Sequence, residues 1–238
     1  MQVRPIKTRL FREGESLSAF ILEHIPSLKE GSVLIVTSKI AALAEKRTAP
    51  LGDEKSREKI IRAESSFAVK TPWVWLTLKD GMVMANAGID ESNADGKLIL
   101  LPKDSYRAAA ALRTKLMQAY DIANLGIVVT DSRVLPLRAG IVGIALGYAG
   151  IKGLKDYRKE KDLYGRGFKF EQVSIADGLA ATGALVMGEG DECQPLAVIE
   201  GAPAEFTDRV KKHELQIAFE DDIYLPFFGK LKLPKNRS

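Results

Sequence analysis

The sequence predicts an α+β fold, mixed sheets carrying helices, and three observations support that reading. Two short runs, residues 32–37 (Ser-Val-Leu-Ile-Val-Thr) and 125–130 (Leu-Gly-Ile-Val-Val-Thr), are almost wholly apolar and of strand length, as buried strands are. Residues 73–78 and 82–86 flank Asp80-Gly81, a dipeptide suited to a tight hairpin turn. Between the strands lie segments with apolar residues at helical spacing and plausible caps, so strands, hairpins and helices are mixed along the chain.

Taken in order, Ser16 caps a helix whose Leu17, Phe20, Ile21, His24 and Ile25 recur at helical spacing, and Pro26 closes it. His24 lies on the apolar face and reads as a core or edge histidine rather than a catalytic one. Strand 32–37 leads into Ser38-Lys39 and a short alanine-rich helix, 40–45. Residues 52–66 are highly charged, and Ile60, Ile61 and Ala63 give them only a weak apolar face, which predicts a surface helix. The hairpin 73–86 opens into a polar loop, 86–93, and an apolar strand follows at 97–101, ended by Pro102. Asp104 or Ser105 caps a long helix to about Tyr120, with Ala108, Ala111, Leu112 and Leu116 on its inner face.

Strand 125–130 is expected to deliver Asp131-Ser132 at its C-terminal end, a recurrent ligand position in α/β proteins. Residues 141–153 are rich in small residues, including Gly143, Gly147, Gly150 and Gly153; close backbone packing, ligand approach and a plain buried strand all fit. A charged loop, 156–166, precedes a predicted strand at 168–175 and a helix at 176–187, with Asp177 near its start where the helix dipole favours an anion. Gly188-Glu189-Gly190-Asp191 breaks that helix and exposes an acidic cluster. A strand at 195–199, a mostly helical stretch from 202 to 219, an acidic turn and an apolar 224–228 complete the reading. Without repeats, low-complexity tracts or a compositional linker, residues 1–238 read as a single unit, ending in a basic tail at 230–238.

Composition excludes several classes. No apolar run reaches the ~20 residues that a membrane helix needs, and residues 1–10 lack the apolar stretch of a signal peptide. One cysteine, Cys193, and two histidines, His24 and His213, leave neither a disulfide nor a zinc cage to build, so a cytoplasmic setting is expected and carboxylates must supply any metal site. A net charge of +4 and a pI near 9.0 mildly favour anionic ligands. No basic stripe with interleaved aromatics points to nucleic acid.

The chemistry concentrates in three places. In the loop 86–93, Gly88 permits tight backbone geometry, and Asp90, Glu91, Ser92 and Asn93 put oxygen on four consecutive side chains. Such a cluster suits magnesium or manganese, although on composition alone a polar turn with an Asx hydrogen bond is the commoner explanation. Ser38-Lys39, between a strand and a helix N-terminus, can hold phosphate through backbone amides and a point charge, although a capping serine beside a surface lysine is the plainer reading. Asp131-Ser132 and the 188–191 cluster add further carboxylates.

These residues carry a resemblance. Segments 33–45, 85–93 (Ala-Asn-Ala-Gly-Ile-Asp-Glu-Ser-Asn), 101–113, 128–132, 138–150, 156–166 and 176–189, ending Leu-Val-Met-Gly-Glu, resemble the coenzyme F420-0:L-glutamate ligase family in order and over residues 10 to 201. The resemblance implies two interleaved α+β lobes, an intertwined homodimer, and a GTP-dependent amide ligase that adds L-glutamate to the terminal carboxylate of F420-0 through an acyl phosphate. It implies a site for divalent metal, two ions of magnesium or manganese, held by Asp90, Asp131 and Glu189, with a monovalent cation a further possibility. Ser38, Lys39, Asn93 and Ser132 match positions that meet GTP, and Lys39 and Arg138 stand as clamps for phosphate or carboxylate.

The departures fall around the substrate. The family's Gly-Arg-Pro-Trp-Arg element is replaced by Arg133-Val134-Leu135-Pro136-Leu137-Arg138; Lys46 stands where a glycine is usual; Gly178 replaces a glutamate in the late helix. The N-terminal nucleotide contact has only residues 8–11 as its nearest counterpart. A different carboxylate acceptor, or a nucleotide-binding homologue without catalysis, are the alternatives these departures leave.

Overall fold

The apolar runs at 32–37 and 125–130 lie side by side as parallel strands, Ser32 opposite Leu125 and Thr37 opposite Thr130. This computed structural model describes residues 1–228. In chain order its elements are β1 (Gln2–Ile6), α1 (Leu17–His24), β2 (Ser32–Thr37), α2 (Ser38–Ala44), β3 (Thr48–Pro50), α3 (Glu54–Ala63), β4 (Phe67–Lys70), β5 (Trp75–Lys79), β6 (Met82–Ala85), β7 (Lys97–Ile99) and α4 (Ser105–Tyr120). They continue with β8 (Leu125–Val134), β9 (Ile141–Ala149), β10 (Leu154–Asp156), β11 (Gln172–Ser174), α5 (Ile175–Met187), β12 (Leu196–Glu200) and α6 (Leu225–Phe228). The fold is α+β, as expected, and its elements belong to two compact units.

The first unit comprises Met1–Arg47 and Pro102–Lys212. Its five-stranded sheet runs β1-β12-β2-β8-β9, with one parallel pair, β2 and β8, and antiparallel neighbours elsewhere. Strand alternation divides the buried residues between two faces. Leu34, Val36, Ile127, Val129, Leu196 and Val198 pack with Phe20 and Ile21 of α1 and Leu112 and Leu116 of α4. The opposite face receives α5, where Gly183 leaves no room for a Cβ against Ile35, and Gly143 of β9 meets Ala180 and Ala184 equally closely. Two of the readings for residues 141–153 therefore hold together: residues 141–149 are a largely buried strand, and its glycines allow close backbone packing.

Caps explain where the helices begin. Ser16 accepts from Ala19 N–H, Asp104 from Arg107 N–H and Ser174 from Asp177 N–H. Lys212 hydrogen-bonds the Asp104 carboxylate and holds its pKa below the usual range. At the other end of α4, Tyr120 Oη donates to Ile25 O at 2.5 Å, and burial pushes its phenol up to about 12. His24 is a satisfied edge residue: its Nε2 accepts Arg9 N–H at 3.2 Å, leaving Nδ1–H to donate to Phe20 O at 2.8 Å.

The second unit comprises Thr48–Leu101 and the chain from His213 onward. It holds a three-stranded meander, β4-β5-β6, and the two-stranded pair β3-β7. The Asp80-Gly81 turn joins β5 to β6 with both residues at positive φ, 51° and 76°, the geometry of a type I′ hairpin. Ile61, Ala87, Ile89, Leu98 and Leu100 form its core.

Several expectations are corrected. The buried small residue of α4 is Ala109, while Ala111 is exposed. The strand expected over 168–175 shrinks to Gln172–Ser174, since Ser174 caps α5 and Ile175 already belongs to that helix. Residues 202–218 form no helix; within them, residues 205–207 pair with residues 150–152 just past the end of β9, Lys152 N donating to Glu205 O and Thr207 N to Gly150 O. β1, β3 and β4 were not anticipated, and the basic tail at 230–238 lies outside the described residues. No described helix is long and apolar enough to cross a membrane.

Gly178 sits exposed within α5, with nothing within 4 Å of a built Cβ. Gly178→Ala is expected to raise unfolding free energy by about 0.5–1 kcal/mol, because alanine loses less backbone freedom in a helix. Urea denaturation checks this, and a midpoint at or below that of the parent would refute it.

Candidate functional site

The site in the first unit is built on one irregular hairpin. β8 does not end at Asp131, as expected, but runs on to Val134, paired with β9. Val129 pairs with Gly147 and Thr130 with Ala145, so Leu146 is an extra residue and the ladder bulges there. Asp177, near the start of α5, takes the Ala145 N–H at 2.9 Å and the Ser174 hydroxyl at 2.7 Å. That carboxylate does more than favour the helix dipole: it fixes α5 to the bulge.

Beyond the bulge, successive side chains alternate between faces. Asp131 turns toward the face where α2 begins. Ser38, buried in the first turn of α2, donates its hydroxyl to Asp131 Oδ1 at 3.0 Å. Arg133, two residues on and therefore on the same face, places Nη1 on Asp131 Oδ2 and also donates to Ser132 O at 2.9 Å. Ser132 faces the other way. It stands opposite Gly143, the glycine lying against α5, and its hydroxyl donates to Glu189 Oε1 at 2.5 Å, just past the end of that helix. Gly188, at φ 79°, terminates α5 so that Glu189 follows immediately.

The structure thus brings Ser38 to Asp131 and Ser132 to Glu189, two pairs on alternate faces of one ribbon. Lys39 lies in the first turn of α2 with its side chain half-buried. The α2 N-cap, Thr37, gives no side-chain bond, and Ser38 serves Asp131 instead of a backbone cap. Arg138 lies on the exposed tip of the β8–β9 hairpin, its N–H donating to Leu135 O at 3.2 Å. Sequence reading passed over Arg133 in favour of Arg138. The signal was present: Asp131 and Arg133 stand two apart in an extended run, which puts them on one face.

In the second unit, residues 86–93 wrap tightly. Asn86, Ala87 and Gly88 all have positive φ, at 51°, 54° and 71°. Ala87 tolerates this because its N–H is bonded by Thr77 Oγ1 at 2.9 Å, and a Cβ on Gly88 would run into Leu101. Asp90 then pairs with Ile99 through two backbone bonds, and its carboxylate accepts from Ser92 N–H at 2.7 Å and Ser92 Oγ at 2.9 Å. The Asx turn is present. Glu91 pairs with Arg57 at 2.8 Å, and Asn93 is exposed at φ 51°.

The donor chemistry suits a hard cation on either face: Ser38 and Asp131 present oxygen on one, Ser132 and Glu189 on the other, and the Arg133 guanidinium already stands on the Asp131 carboxylate. Among the described residues, no three His, Cys, Asp or Glu side chains converge closely enough to hold an ion by themselves.

A sequence model described as F420-0:Gamma-glutamyl ligase matches residues 57–201. The coenzyme F420:L-glutamate ligase of Methanopyrus kandleri is 35% identical over 225 residues, covering 86% of this chain and 88% of its own length. Proteins of the same description from Methanococcus maripaludis and Methanocaldococcus jannaschii are 37% and 36% identical, each across 86% of this chain and 83% and 82% of their own.

Proposed function

The chain belongs to the F420-0:gamma-glutamyl ligase family, and from that premise we propose that it joins L-glutamate, through its amine, to the terminal carboxylate of F420-0. The observation that supports this most is the Ser38–Asp131–Arg133 cluster, an oriented carboxylate at the edge of the sheet where β2 and β8 cease to be paired. A free carboxylate is a poor electrophile, so the acceptor must first be activated. In this reading GTP transfers its γ-phosphoryl group to the carboxylate, giving an acyl phosphate and GDP. The glutamate amine then attacks the acyl carbon, inorganic phosphate leaves, and the amine gives up a proton.

The chain's own residues divide this work. Ser38 holds the Asp131 carboxylate in place, Arg133 balances its charge in the free protein, and Ser132 holds Glu189. Lys39 and Arg138 supply positive charge for phosphate or carboxylate oxygens; Ser132 is proposed as a nucleotide contact in the first unit, and Asn93 is proposed separately as one in the second. Asp131 and Glu189 are proposed as metal ligands in the first unit, and Asp90 carries the same proposal on its own account in the second. A divalent ion, magnesium or manganese, would offset charge on the phosphate oxygens. One or two carboxylates with phosphate and water suffice for magnesium, which accords with the absence of a larger acidic cluster among the described residues. We further assign a cytoplasmic, homodimeric enzyme, the latter checked by light scattering.

Incubating the protein with F420-0, L-glutamate, manganese and either GTP or ATP, followed by mass spectrometry, tests the reading. Glutamylated product with GTP, absent without nucleotide, is expected. A second reading keeps the chemistry and changes the acceptor; the apolar hairpin tip, where Leu137 is fully exposed and Leu135 half-exposed, favours it. Turnover of another carboxylate but not of F420-0 would select that reading, and no turnover of any carboxylate despite GTP binding would sink both.

A further inference from the structure

We propose that Arg133 is an internal stand-in cation: its guanidinium occupies the Asp131 carboxylate until a divalent ion takes that place and displaces it. The inference rests on the reading of Asp131 as a metal ligand, and it assigns a positioning role to a residue outside the proposed ligand set. Three observations carry it. Arg133 is only 7% exposed, and among the described residues no other charged side chain is buried to that degree; such residues are seldom buried unless paired. Its Nη1 lies on Asp131 Oδ2, while Oδ1 is taken by the neutral Ser38 hydroxyl, which leaves Arg133 as the positive partner of that carboxylate in the structure. The same Nη1 also holds Ser132 O, a backbone acceptor that can retain the guanidinium nearby when the carboxylate is given up.

The physical consequence is competition. A guanidinium and a divalent ion on one small, partly buried carboxylate repel each other strongly, so both cannot be held there at full strength. In the free protein the arginine keeps Asp131 from being a buried, uncompensated charge, which is costly. When the ion arrives, that duty passes to it, and the arginine withdraws toward Ser132 O. A residue that merely oriented a metal ligand from behind would act in the opposite direction, because such outer partners strengthen metal binding.

The sign of the change in metal affinity separates the two roles. Manganese binding to the full-length protein, without nucleotide or substrate, is measured by electron paramagnetic resonance of free Mn2+, with melting temperature recorded with and without the ion. The variants are Arg133→Met, which keeps length and packing, Arg133→Lys, which keeps charge, and Asp131→Asn. Arg133→Met is expected to bind Mn2+ about tenfold or more tightly than the parent, to melt lower than the parent without metal, and to recover that difference with it. Arg133→Lys is expected to restore near-parental affinity. Unchanged or weaker Mn2+ binding by Arg133→Met, with binding still lost in Asp131→Asn, overturns the stand-in role while leaving Asp131 a ligand. Equal Mn2+ binding by parent and Asp131→Asn overturns both, as does no binding by any variant.

Discussion

Asp131→Asn is expected to lower the rate of glutamate addition by about a thousandfold or more while preserving the fold. The amide matches the carboxylate in shape, so Ser38 and the β8–β9 ribbon keep their places. What disappears is one negative charge at the carboxylate proposed above as a ligand of the divalent ion. Loss of several kcal/mol of such stabilisation corresponds to about three orders of magnitude in rate. The substitution also leaves Arg133 without its carboxylate. The two side chains are 8% and 23% exposed, and breaking a pair buried to that extent costs about 2–3 kcal/mol, below the range for fully buried pairs because water reaches Asp131. Asp131→Asn/Arg133→Met is therefore expected to regain most of the lost stability and none of the lost rate. A folded Asp131→Asn protein that works at the parental rate would remove Asp131 from the chemistry.

The largest structural effect is expected at Gly150, at the end of β9. Its φ is +83°, a region L-residues rarely adopt, and an added Cβ would stand 2.0 Å from Leu125 O and 2.4 Å from Arg113 Nε. Neither neighbour can yield. Leu125 O belongs to β8, an interior strand of the sheet, and Arg113 is held by its bonds to that same carbonyl at 2.7 Å and to Asp208 at 2.8 Å. Gly150→Ala combines backbone strain with a collision against main chain, so a loss above about 4 kcal/mol is expected, enough to deplete folded protein. Gly167→Ala, at a glycine with open space and no positive φ, is the matched control and should leave stability within about 0.5 kcal/mol of the parent. Guanidinium denaturation of the two variants decides it; a Gly150→Ala protein as stable as its control would refute the account.

The contrast between these sites shows what sequence could reveal. β2, β8, α1, α4 and α5 were legible because apolar period and caps are local: Ser16, Asp104 and the runs at 32–37 and 125–130 speak for themselves. β1 and β3 were not, since Val3 and Ile6 become strand only by pairing with residues almost 200 positions away, and three-residue strands have no period to read. Within 202–218, residues 205–207 are held by pairing with residues 150–152 just past β9, a long-range contact that no local pattern announces. At the site, Ser38, Asp131, Ser132 and Glu189 stood out at strand ends and helix ends, and a resemblance in motif supplied their expected roles. That Ser38 meets Asp131 while Ser132 meets Glu189 follows from strand alternation past a bulge, and no spacing announces a bulge at Leu146. Arg133 was visible two positions from Asp131 and was overlooked because the strand was thought to stop first.

The strand order has a consequence for how the protein is made. β12 lies between β1 and β2, yet it is the last of the five strands to leave the ribosome. From the end of β2 to the start of β12 the ribosome must add about 160 residues, which at roughly 5–20 residues per second takes on the order of ten to thirty seconds. For that interval the nascent chain carries two strands whose shared neighbour does not yet exist. Newborn molecules therefore pass through a window in which β1 and one side of β2 are open to foreign strands. The demand for chaperone cover should fall in that window, and it should end abruptly when Leu196–Glu200 emerges.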